Sequence, residues 1–279
     1  MSYPAAIFRR VVAVYAAVAL TATAWAAPAT AVAASVAPTP LQYVALGDSY
    51  AAGYGSAPTR DNCGRTPAAY PALLARSTDG AVALRNAACI NATVADVTGR
   101  QLAALNHRTA LVTVTVGAND LNVKEVLQAC LSPMTAMACR TGNARINRTL
   151  AVTLPREITR MIQAIRAAAP NARIVVTGYP LPFAKAARCA DMPIPAKMRA
   201  RVNQVAARLN AVIAAAADRA RVRFADVEKA FARHGVCSAR PWLVGTEGMR
   251  DNTVLHPTAV GHERGYLPAI AETGFADRF

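Results

Sequence analysis

The 279-residue chain contains no Cys-x-x-Cys pair, no Gly-x-Ser-x-Gly run and no internal repeat, and each absence removes a class of protein. Without paired cysteines, and with no histidine at ligand spacing from a cysteine, a zinc or other metal site is disfavoured. The missing glycine-flanked serine disfavours the nucleophile elbow of α/β-hydrolases. Acidic residues are scarce, 16 against 31 lysines and arginines, which gives a formal charge of +15. Such an excess favours contact with anionic surfaces such as a cell envelope. The arginines from Arg140 to Arg240 are nevertheless spread through helix-like segments without aromatic interleaving, so they read as a solvated basic face and no nucleic acid partner is expected. Nothing points to an obligate protein partner.

Acidic residues are missing altogether from positions 1–33, where Arg9 and Arg10 precede an uncharged run from Val11 to Ala27. That is the pattern of a secretory signal. The small-x-small triplets Ala24-Trp25-Ala26 and Ala31-Val32-Ala33 offer cleavage points. The chain therefore divides into a signal peptide (1–33), a flexible leader (34–40) and one domain (41–279), with the product secreted or associated with the cell envelope. An uncleaved membrane anchor is the alternative, since the apolar run approaches bilayer-spanning length, although its alanines make it weakly hydrophobic. All six cysteines, Cys63, Cys89, Cys130, Cys139, Cys189 and Cys237, lie beyond this region. An even number in an exported chain suggests three disulfides.

What the chain does have is an alternation of short apolar runs and amphipathic stretches. Tyr43–Leu46, Val82–Asn86, Leu111–Val116, Arg173–Gly178 and Val222–Asp226 have strand composition. Between them, Leu154–Ala169 places Ile158, Met161, Ile162 and Ile165 at helical spacing, and Ala196–Ala217 does so with Val202, Val205, Leu209 and Ile213. Residues 130–147 read as an irregular insertion whose two cysteines can close a short loop. Strands and helices alternating at this spacing predict a three-layer α/β/α sandwich around a mostly parallel sheet of about five strands.

Three of the strand runs lead into polar loops that would converge on one sheet edge, at Gly47-Asp48-Ser49, around Asn91 and at Gly117-Ala118-Asn119-Asp120, and a histidine turn, His256-Pro257, follows near the C-terminus. A serine nucleophile needs a base to take its proton and donors aimed at the developing oxyanion, and these turns offer both. In this order and over nearly the whole mature chain, the motifs resemble the GDSL, or SGNH, hydrolase family, especially its secreted, disulfide-bearing bacterial esterases and lipases. The resemblance implies a flavodoxin-like sheet. It makes Ser49 the nucleophile and His256 the base, with the Ser49 N–H, the Asn119 side chain and the Asn91 N–H as oxyanion donors. The chain departs from the family at Asn91, which stands in Cys89-Ile90-Asn91-Ala92-Thr93 where the family often has glycine. It departs again at Thr253, three residues before His256, where the family usually has the aspartate that orients the base. Some secreted members use a main-chain carbonyl there, so the resemblance implies a Ser-His dyad, with the Thr253 carbonyl as first orienting candidate and the Asp251 side chain as second.

Asp48 and Asp120 read as residues that bond loop backbone, and His107, His234 and His262 as surface or capping histidines. The resemblance also implies consecutive disulfides, Cys63–Cys89, Cys130–Cys139 and Cys189–Cys237. The implied activity is hydrolysis of a carboxylic ester, of a lipid or an acylated small molecule, through an acyl-enzyme and without a metal or organic cofactor. Deacetylation of envelope carbohydrate, or a catalytically weak protein that binds anionic envelope polymer, are the alternatives.

Overall fold

The five apolar runs form the strands of one sheet: β1 Leu41–Gly47, β2 Val82–Asn86, β3 Thr109–Thr115, β4 Arg173–Thr177 and β5 Arg223–Ala225. All four pairings are parallel, and the spatial order is β2-β1-β3-β4-β5. The computed structural model describes residues 39–275 except 59, 187, 188, 190, 191 and 193. The expected signal peptide, and the expected leader apart from Thr39 and Pro40, lie outside the described residues.

Side-chain alternation along the strands divides the core in two. Val44 and Leu46 of β1, with Val112 and Val114 of β3, face helices α3 (Val94–Arg100), α6 (Leu154–Ala168) and α7 (Ala196–Arg219). Tyr43 and Ala45, pointing the other way, meet α2 (Tyr70–Arg76), α8 (Val227–Ala230) and α10 (Leu267–Ala271). Because both faces are covered, the strands read as continuous apolar runs. The helix α6 shows how the pattern becomes packing: Leu154, Ile158, Met161, Ile162 and Ile165 all fall on one face and are at most 1% exposed. Burying each such side chain contributes roughly 1.5–3 kcal/mol.

Three bridges pair the cysteines consecutively, Cys63–Cys89, Cys130–Cys139 and Cys189–Cys237. One expectation fails. Most of residues 130–147 is not irregular: after α4 (Val123–Cys130) and a short 3₁₀ turn comes helix α5 (Ala136–Arg148), which runs through a π-turn at Thr149–Thr153 into α6. Weak apolar periodicity hid this helix. It forms because Gly142 lets α5 close on α4, where an added Cβ would stand 2.6 Å from Val126 Cγ2, and because the Cys130–Cys139 bridge ties the two together.

The strand order reverses between β1 and β3, since β1 continues to β2 on one side and β3 to β4 on the other. In open α/β sheets the crevice at such a switch point, at the carboxyl ends of the strands, is where ligands bind. The turns that leave those two strand ends carry Ser49 and Asn119.

Candidate active site

The turn after β1 is set by Gly47, whose φ of +125° and approach to Thr115 leave no room for a side chain; a Cβ there would stand 2.1 Å from the Thr115 carbonyl oxygen. Gln101 brackets this glycine, its side-chain oxygen accepting from the Gly47 N–H at 2.7 Å and its amide donating to the Gly47 carbonyl at 2.9 Å. Asp48 follows, donating its N–H to the Thr115 carbonyl at 2.9 Å and capping the one-turn helix α1 (Ser49–Ala52) by accepting from the Tyr50 N–H at 2.9 Å. Its other carboxylate oxygen accepts from the Tyr179 hydroxyl at 2.5 Å. Asp48 is buried, and that burial raises its pKa to about 7.

Ser49 is thus delivered at the sheet edge by a fully bonded turn. Its Oγ lies 2.8 Å from His256 Nε2. The other ring nitrogen, Nδ1, lies 3.1 Å from the Thr253 carbonyl oxygen. A carbonyl can only accept, so Nδ1 carries the proton and the Nε2 lone pair faces the serine. An imidazole so placed can take the hydroxyl proton. Burial lowers the pKa of His256 to about 4, which keeps the ring neutral at pH 7.

The loop bearing His256 is built without regular structure. Leu255 sits at φ +68°, a conformation costly for a leucine, and is held there by backbone bonds in which Leu255 N–H donates to the Val244 carbonyl at 2.8 Å and Val244 N–H to the His256 carbonyl at 2.9 Å. The Tyr50 hydroxyl donates to the Leu255 carbonyl at 2.8 Å. The rings of Tyr50 and Tyr54 flank the imidazole, each with its centroid 5.2 Å away. Asp251 does not touch the ring; its Oδ1 accepts from the Thr253 hydroxyl at 2.7 Å, its Oδ2 lies 3.6 Å from Arg60, and its carbonyl accepts from the Tyr54 hydroxyl. Of the two orienting candidates, the Thr253 carbonyl is the one beside the histidine.

The turns after β2 and β3 are laced together. Asn119 Nδ2 donates to the Ala92 carbonyl at 2.9 Å, which fixes the amide and leaves its second N–H unspent. Asp120 accepts from the Val94 N–H, at 3.2 and 3.3 Å from its two oxygens, and burial raises its pKa to about 6. Both aspartates therefore bond backbone, and Asp48 also bonds a tyrosine. Asn91 sits at φ +61°, the left-handed region where glycine is at ease and asparagine is tolerated, and its side chain is exposed. The Cys63–Cys89 bridge and the Ile90 N–H, which donates to the Cys63 carbonyl at 3.0 Å, bind this turn to the segment following α1.

His262 corrects an expectation. It is fully buried rather than at the surface, accepts from the Tyr70 N–H at 3.3 Å through Nδ1, and packs against the tilted rings of Tyr70 and Tyr266. His234 lies flat on Trp242, with ring centroids 3.5 Å apart. Nothing in the sequence marks Gln101, Tyr54 or Tyr179 as parts of the site, and Tyr50 carries a signal only as the neighbour of Ser49.

Residues 45–264 match the sequence model of the GDSL-like lipase/acylhydrolase family. A lipase from Streptomyces rimosus is 36% identical over 231 residues, covering 82% of this chain and 85% of that one. Lipase 1 of Streptomyces coelicolor is 32% identical over the same shares. The crystal structure of the extracellular Streptomyces rimosus lipase matches with a TM-score of 0.75 and 34% identity, covering 83% of this chain and 99% of that one. Phospholipase A1 from Streptomyces albidoflavus NA297 matches with a TM-score of 0.73 and 32% identity, covering 84% and 99% of the respective chains.

Proposed function

The chain belongs to the GDSL-like lipase/acylhydrolase family and is an ester hydrolase, and from that premise we propose that it is a secreted lipase in which Ser49 and His256 act as a dyad through an acyl-enzyme. The observation that carries the proposal is the 2.8 Å approach of His256 Nε2 to Ser49 Oγ, with Nδ1 on the Thr253 carbonyl. Ser49 Oγ attacks the ester carbonyl while its proton passes to Nε2. The negative charge that develops on the carbonyl oxygen meets the second N–H of the Asn119 amide and the N–H of Ser49. The latter lies in the first turn of α1, where a helix offers no carbonyl to accept it. The Asn91 N–H completes the donor set in this reading. Collapse of the tetrahedral species breaks the ester C–O bond, and the departing alcohol takes the proton from His256. Water then attacks the acyl-serine with His256 as base, releasing the acid and restoring the serine.

Secretion is supported by the three disulfides and by the likeness to an extracellular lipase. A lipid substrate is supported by the likeness to lipases and to a phospholipase A1. The test is hydrolysis of p-nitrophenyl esters of graded chain length by the protein and by its Ser49→Ala variant. A rate that rises with chain length and vanishes in the variant is expected; equal background rates from both would reject the proposal. A preference for acetate would move the substrate to acetylated carbohydrate.

A further inference from the structure

Directly after the Asn119 turn the chain leaves the sheet for residues 123–148, the α4–α5 hairpin. Its root belongs to the core, through Val126 and Ile146. Its tip does the opposite. Leu131 is 50% exposed, Met134 94% and Met137 65%, so three of the seven large exposed hydrophobics among the described residues fall within seven consecutive positions. Scattered apolar residues need no explanation, whereas a cluster marks a contact surface. The Cys130–Cys139 bridge closes the loop from which these three side chains project.

Charge identifies what the tip meets. The hairpin carries Lys124, Arg140, Arg145 and Arg148 against one carboxylate, Glu125. Helix α7 adds Arg201 and Arg208, which donate to Asn143 and Asn147 of α5 at 3.1 and 2.6 Å. The three ion pairs among the described residues all lie elsewhere. Apolar side chains at the end of a hairpin that carries this cationic excess, with Arg140 directly beside the bridge, match an anionic phospholipid surface, where methionine and leucine enter the acyl boundary while arginines meet phosphates. The position fits as well. Lys124 Nζ donates to Asn252 Oδ1 at 3.0 Å, which joins α4 to the loop carrying His256.

We propose that the tip of the α4–α5 hairpin docks this enzyme onto an anionic phospholipid surface, bringing the mouth of the site to the depth of the ester bonds. This rests on the lipid reading of the substrate, and binding is therefore tested apart from turnover. The Ser49→Ala protein is mixed with phosphatidylglycerol or phosphatidylcholine vesicles and floated at low and high salt. It floats with phosphatidylglycerol about tenfold more than with phosphatidylcholine, and salt weakens the binding. Replacing Leu131, Met134 and Met137 together by serine on this background lowers flotation by at least about tenfold. These residues are exposed, so the fold survives the changes. In the active chain the same triple change leaves hydrolysis of p-nitrophenyl butyrate within about twofold but depresses hydrolysis of phosphatidylglycerol vesicles. A triple variant that floats like its parent overturns the proposal. So does a parent that fails to float, or a parent that sediments as a dimer while the triple variant is a monomer, which would assign the tip to a second copy. Flotation without any ester hydrolysis would keep the docking surface and reject the lipase reading; hydrolysis without flotation would do the reverse.

Discussion

Ser49 and His256 reach the same point by opposite routes. The serine stands on a turn wired into the sheet, where Gly47 is bonded at both its N–H and its carbonyl by Gln101, and Asp48 is held by Thr115 and Tyr179. The histidine stands on a loop with no strand beneath it, kept by backbone bonds to Val244, by the Thr253 carbonyl and by the rings of Tyr50 and Tyr54. The proposed nucleophile is therefore positioned by the global fold and the proposed base by local chain geometry. Substitutions around Ser49 should act on folding as much as on rate. Around His256 the proposed orienting group is main chain, which no single side-chain change removes.

The strongest way to break this contrast is to delete each partner. If the two act as one unit, His256→Ala and Ser49→Ala should each lower kcat by at least roughly a thousandfold, and the double variant should be little worse than either. Additive losses, read in single-turnover assays, would mean that the two side chains work independently. Next in size is Asn119→Ala, expected to cost roughly 10²–10³ in kcat with little change in KM if the amide serves the oxyanion. A loss confined to KM would instead make Asn119 a binding residue.

The pH profile sharpens the loop side of the comparison. Burial lowers His256 to about 4, so the ring is neutral over the whole range above that value and, as the proposed base, is free to take a proton there. The acid limb of kcat/KM should fall near pH 4 rather than near 6.5, the value of an ordinary histidine. The fold should survive long enough to be measured. Burial also lowers His262, to about 3, so both histidines stay neutral when folded but protonate in the unfolded chain near 6.5, and stability drains as pH falls below that. The carboxyls of buried Asp48 and half-buried Asp120, raised by desolvation to about 7 and about 6, act in the other sense. The folded state binds their protons on acidification before the unfolded chain does, and this offsets the histidines. An acid limb near 6.5 with intact circular dichroism would show a solvated imidazole.

The same contrast explains what could be read from sequence. Strand ends and their motifs were legible because apolar runs that stop at Gly-Asp-Ser or Gly-Ala-Asn-Asp are local signals, and the resemblance supplied His256. Gln101 and Tyr179 were not legible, because their partners Gly47 and Asp48 lie 54 and 131 residues away and nothing near them in sequence announces the contact. The burial of His262 was hidden for a related reason: it precedes Glu263 and Arg264, which are exposed, while the aromatic pocket that takes it comes from Tyr70 and Tyr266. Helix α5 is not legible because alanine, arginine and asparagine dominate it, and its stability comes from Gly142, Val126 and a bridge rather than from an apolar stripe.

The smallest expected effect is the most discriminating for the loop. Asp251 is exposed, its carboxylate is held below the usual range chiefly by the Thr253 hydroxyl, and it meets Thr253 and Arg60 but not the imidazole. Asp251→Asn keeps the acceptor oxygen for Thr253 and removes only the charge. If the Thr253 carbonyl orients His256, kcat should drop by less than about fivefold, since a carboxylate outside hydrogen-bond reach and open to water contributes little. A hundredfold loss would mean that the charge itself stabilises the imidazolium and that the loop works as a triad through an intervening residue. The acid limb separates these outcomes further: a purely positional role leaves it near 4, whereas removing a stabilising charge moves it lower still.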